Sequence, residues 1–125
     1  MESTTKKIHG GPELKKLQNM LIYLQMYRFL GDEKICLDTL YRFRGFRKSL
    51  SELNYYISSA SLLVNKPKDR AMQLKYAAEQ AHYLLMLIEH LSREDVGCAE
   101  KYRRLANVVF RMIRKIDLII MHITG

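Results

Sequence analysis

Four stretches of this chain repeat apolar residues every three or four positions, and little between them interrupts the pattern. The first is Leu14, Leu17, Leu21 and Leu24, and the second Leu50, Leu53, Ile57, Ala60 and Val64. The third is Leu74, Ala77, Ala78, Ala81, Leu84, Leu85, Ile88 and Leu91. The fourth runs from Tyr102 and Leu105 through Ala106, Val109, Met112, Ile113 and Ile116 to Ile119, Ile120 and Ile123. That period lays each set along one face of an α-helix. Nowhere does a strand-length segment alternate strictly between turn residues. Two prolines and six glycines in 125 residues leave few places where a helix must break. The fold class is therefore all-α. Short links between long amphipathic helices favour antiparallel neighbours, so an up-down antiparallel four-helix bundle is expected.

Residues 1–11 read as a short flexible basic arm closed by Gly10 and Gly11, and residues 12–125 as one helical domain. Pro12 suits a first helical turn, where its missing N–H needs no partner. The first helix is predicted over about residues 12–29, with Gly31 ending it and Asp32 capping the next. Ile35, Leu40 and Tyr41 read as helix, and Gly45 then interrupts a basic run. Continuity through Gly31 and Gly45 stays open. Ser49 and Glu52 have capping-box spacing and could start a fresh helix. Asn65-Lys66-Pro67 ends it, since the residue before proline avoids the α region. The third and fourth helices are predicted over about 69–91 and 95–122. The branched residues Ile113, Ile116, Ile119, Ile120 and Ile123, with Leu118 beside them, exceed what one side of a bundle helix needs. Part of that surface is expected to be buried against another protomer or a partner.

Cys36 and Cys98 stand far apart, without metal-ligand spacing, and read as two reduced thiols. The N-terminus has no apolar stretch of the signal-peptide kind, and no apolar run approaches the ~20 residues of a membrane span. A soluble, cytoplasmic protein with no membrane association is expected.

No catalytic constellation emerges. Glu79-x-x-His82 is one half of a di-iron motif, but lies off the apolar stripe and has no second half. No arginine precedes a histidine at the four-to-six spacing of helical ribonucleases of the HEPN type, and there is no phosphate-binding glycine loop. The expectation is a protein that is not an enzyme, with no cofactor and no metal.

Charge is more informative. Twenty-one Lys and Arg against thirteen Asp and Glu give a net +8, which argues for an anionic partner, RNA or DNA first. Arg104, Arg111 and Lys115 fall within about 40° of one another on the last helix, opposite its apolar stripe, with Arg103 and Arg114 flanking them. Arg42, Arg44, Arg47 and Lys48 cluster with Tyr41, Phe43 and Phe46. Such aromatics can stack on unpaired bases while guanidinium groups hold phosphates. The bland alternative is a solvated helical face with ordinary core aromatics.

Leu74-Lys75-Tyr76-Ala77-Ala78, Leu84-Leu85-Met86-Leu87-Ile88, His90-Leu91-Ser92, and Lys101-Tyr102 with Leu105, Val109 and Ile113 carry a resemblance. Leu50, Leu53 and Ala60 extend it upstream. In this spacing pattern, over roughly the last 75 residues, the chain resembles a family of small basic four-helix bundles. That family includes the accessory variability determinant of diversity-generating retroelements and the bundles encoded in intervening sequences of bacterial 23S ribosomal RNA genes. It departs where Arg114-Lys115-Ile116 replaces the Gly and aromatic usual in the last helix, and in having no Trp. The resemblance implies a homo-oligomer, often a pentamer, that binds a reverse transcriptase and its template RNA. It would support mutagenic copying into complementary DNA without being the polymerase. The alternative is a basic bundle subunit of another ribonucleoprotein complex, ribosome-associated or a CRISPR-type small subunit.

Overall fold

The computed structural model describes residues 11–27 and 33–124. Gly31, Asp32 and all of the expected arm except Gly11 lie outside them. Among the described residues the regular structure is entirely helical: α1 (Gly11–Met26), α2 (Glu33–Arg42), α3 (Arg44–Leu62), α4 (Pro67–Glu94) and α5 (Ala99–Thr124). A 3₁₀ turn, Val96–Cys98, joins the last two. Each of the four long helices packs on two others: α4 on α3 and α5, and α1 on α5 and α3. Specific contacts give directions. Arg70 reaches back to Ala60 while Ser49 meets Gln80, so α3 and α4 run antiparallel. None of these helices is long and apolar enough to cross a membrane.

The predicted stripes are the core. Leu14, Leu17, Leu21, Leu24, Leu53, Ile57, Leu74, Ala77, Ala81, Leu84 and Ile88 are buried, as are Leu105, Val109 and Met112. Ala77 and Ala81 lie on the α4 seam, where a small side chain lets a neighbouring backbone approach. Val64 departs from its stripe: it lies beyond the end of α3 and is exposed. Most of the isoleucine-rich end of α5 turns inward. Ile113, Ile116 and Ile119 are buried within this chain's own core, and Ile120 and Ile123 pack against it. The apolar side chains that α5 leaves outside are Phe110, Leu118 and Met121.

The stretch around Gly45 breaks at Phe43. Its backbone is extended (φ −65°, ψ 124°), and α3 restarts at Arg44, with Gly45 in its first turn. The reason is tertiary. On an uninterrupted helix Tyr41 and Phe46 would point about 140° apart. The break turns both inward, where their rings meet edge to face at 4.9 Å and the Tyr41 hydroxyl donates to the Leu24 carbonyl at 2.7 Å. Gly45 lets the chain pass close to these rings: a Cβ there would come within 2.9 Å of the Phe43 ring and 3.2 Å of the Tyr83 hydroxyl, so the exposed Phe43 side chain would have to shift. The Ser49–Glu52 capping box does not form, because α3 has already begun at Arg44. Ser49 is buried instead, and its hydroxyl donates to Gln80 Oε1 at 2.6 Å.

α2 packs on α3, α5 and α4 and so covers one end of the long helices. This placement overturns the expectation of two free thiols. Cys36 of α2 and Cys98 of the 3₁₀ turn are joined in a disulfide across a Cα separation of 5.6 Å, an ordinary span for that bond. Beside it the Tyr102 hydroxyl donates to the Cys36 carbonyl at 3.3 Å. Burial, and then the charge of Asp95, push that phenol above its usual pKa.

Candidate functional site

α1 and α5 are amphipathic helices packed side by side, and the edges of their apolar stripes meet in a groove open to solvent. Met20 and Tyr23 of α1 and Val108 and Leu118 of α5 give it an apolar lining, with Arg111, Arg114 and Lys115 beside them. Its volume is about 600 Å³. A second hollow of about 420 Å³ continues from it, lined by Tyr27, Arg104, Asn107 and Phe110 and sharing Tyr23, Val108 and Arg111 with the first. No acidic side chain lines either hollow.

The basic stripe read from α5 therefore borders one continuous groove. Arg104 and Arg111 are seven residues apart, on one face and separated by about 10 Å along the helix, and both are exposed. Arg114, predicted only to flank the stripe, lines the groove itself. Among the described residues Arg111 and Arg114 form no ion pair. Lys115 is a correction. It was expected on an exposed phosphate-holding face, but it is half-buried, with its Nζ 2.7 Å from Glu13 Oε1 across the α1–α5 seam. The hydrogen bond from Lys115 holds the Glu13 carboxyl below its ordinary pKa against a smaller desolvation effect; the charge of Lys115, and then Lys16, add to the lowering. The wheel put Lys115 near Arg111, but only the identity of the neighbouring helix decides that a carboxylate faces it.

Tyr23 and Phe110 were not singled out by sequence. Both sit off their helices' apolar stripes and are half exposed, at 46% and 50%. For Phe110 the available signal was a large aromatic displaced from the stripe beside Arg111; Tyr23 has no basic neighbour in sequence and carried no such signal. Tyr23 is held edge-on by the buried Tyr27, centroids 5.4 Å apart and planes at 79°.

The other predicted basic cluster lies elsewhere. Arg42 ends α2, and Arg44, Arg47 and Lys48 open α3, which packs on α1 and α4. The structure does not bring this cluster together with the α5 stripe on one face. All four residues are exposed, but Arg42 is paired with Asp38 at 3.1 Å. Lys48 borders a hollow of about 370 Å³ that also holds Glu52, Gln80 and Tyr83. Of the three interleaved aromatics, Tyr41 and Phe46 are core residues and only Phe43 is exposed. The stacking role expected of the first two is thus excluded by their burial. Glu79 and His82 are exposed, and among the described residues no three metal-ligating side chains gather.

No protein-family model matches the chain, and no curated protein or solved structure shows a significant similarity to it.

Proposed function

We propose that this chain is a non-catalytic basic accessory protein that binds nucleic acid, RNA or complementary DNA, through the α1–α5 groove. Its frame in this proposal is an up-down four-helix bundle, with α2 as an added short helix over one end. The observation that carries the reading is the groove itself. Arg111 and Arg114, unpaired among the described residues, stand with Arg104 beside exposed aromatic rings in a lining without a single acid. On a chain of net charge +8 such a lining favours a polyanion. The resemblance to accessory variability determinants adds the proposed setting: a homo-oligomer working with a reverse transcriptase in mutagenic copying.

The test is binding of RNA at several salt concentrations. Charge reversal of Arg104, Arg111 and Arg114 together should weaken binding to unrelated sequences and flatten the log–log salt dependence by about 0.7–0.9 per lost phosphate contact. An unchanged affinity and slope would reduce the stripe to a solvated face. Co-purification with tagged products of neighbouring genes tests the polymerase partner.

A further inference from the structure

We infer that the α1–α5 groove takes a single strand, with bases stacked on Tyr23 and Phe110 and phosphates on Arg104, Arg111 and Arg114. This inference rests on the nucleic-acid reading above and narrows its substrate class. A duplex exposes phosphate, sugar and base edges, while the faces of its bases are stacked inside. Rings left 46% and 50% exposed in a basic groove find no base face to stack on there. An unpaired strand offers the π-face of every base, and base–aromatic stacking tolerates any sequence.

The dimensions agree. Packed helices have axes about 8–10 Å apart, and the groove lies between two of them. A duplex, whose major groove alone is about 12 Å wide, cannot enter between the helices and would have to take one of them into its own groove instead. Tyr23 belongs to both hollows, so it lies between the Arg104 end and the Arg114 end of the cation row. The edge contact with buried Tyr27 fixes the Tyr23 ring before any ligand arrives, so little side-chain freedom is lost when a base stacks on it. Asn19 and Asn107 add amide groups to the lining that can bond to base edges without selecting for charge.

The experiment compares three probes on the full chain by fluorescence anisotropy. They are labelled oligodeoxythymidine, the same strand annealed to its complement, and inorganic polyphosphate, which has charge and no bases. The single strand should bind at least about tenfold more tightly than the duplex. Tyr23→Ala and Phe110→Ala should each cost the single strand about 5- to 150-fold, leave its salt slope unchanged and leave polyphosphate binding intact. Tyr23→Phe, which keeps the ring, should bind as wild type does. Equal affinity for strand and duplex, with both alanine variants unaffected, would overturn the stacking inference. The nucleic-acid reading would survive that result if charge reversal of the arginines still weakened binding. If no probe bound with salt dependence, the proposed function would fall, and this inference with it. Both rings are half exposed, so the variants should fold, and their thermal melts verify it.

Discussion

Arg70 is the one charged side chain among the described residues that is buried, at 3% exposure. It rises from the first turns of α4 to the end of α3, where Nε donates to the Ala60 carbonyl at 2.8 Å and Nη2 to the Ser61 carbonyl at 3.4 Å. Those carbonyls belong to the last turn of α3, where i→i+4 helical bonding has run out and only the Leu63 N–H reaches back to Ala60. The guanidinium therefore supplies donors where α3 is short of them and places a positive charge at the negative end of its dipole. Burial lowers its pKa from the ordinary arginine value, yet an arginine stays protonated throughout the working pH range. Arg70→Met keeps an apolar stem of similar length and removes the charge together with the bonds to Ala60 and Ser61. A hydrogen bond to a charged group is worth about 1.5–3 kcal/mol. The 2.8 Å bond takes most of that, the 3.4 Å bond adds little, and Ala60 keeps a second bond from the Leu63 N–H at 3.2 Å. The expected loss is about 2 kcal/mol. For a domain of this size that corresponds to a melting temperature lower by about 6–10 °C. Arg70→Lys retains the charge without the planar fork and should recover only part of the loss. Thermal melts followed by far-ultraviolet circular dichroism measure both. If Arg70→Met melted with wild type, the carbonyls at the end of α3 would have to be satisfied by other groups, and the capping role would be wrong.

Other outcomes follow from the same contacts. The Cys36–Cys98 bond spans a sequence separation of 62, so the chain-entropy estimate gives it about 4 kcal/mol. A dithiol reductant should lower the melting temperature of wild type and leave a Cys36→Ser/Cys98→Ser variant unmoved; a wild type blind to reductant would mean unbonded thiols. Glu13 has a folded pKa below its unfolded value, so its contribution is present above the unfolded pKa of about 4.3 and is lost as pH falls through the folded one. Glu13→Gln should flatten that acid limb, and a nuclear magnetic resonance titration of the carboxyl should show the lowered midpoint; an ordinary midpoint would remove the Lys115 pairing. Ala81 is fully buried on α4, so Ala81→Phe should overpack the seam and cost about 1–3 kcal/mol; a wild-type melting profile would place that face of α4 wrongly.

What the sequence determined by itself was local. A period of three and four needs no knowledge of neighbours, so the all-helical class and nearly every buried residue of the long helices follow from it. The same holds for the exposed Arg104–Arg111 row, which the wheel places opposite the core. The features read wrongly or missed are those set by which helix lies alongside. Lys115 meets Glu13 only because α1 packs against α5. The pairing of Cys36 with Cys98 exists only because α2 crosses the end of the long helices. Tyr41 and Phe46 left the predicted base-stacking set because a backbone break at Phe43, costly locally, lets both rings reach the core. Tyr23 and Phe110 gained meaning only when two helices brought their separate stripe edges to one groove. Periodicity fixes the face a residue takes on its own helix, while charge pairing, cross-linking and concavity are properties of two helices at once, and those only the packing decides.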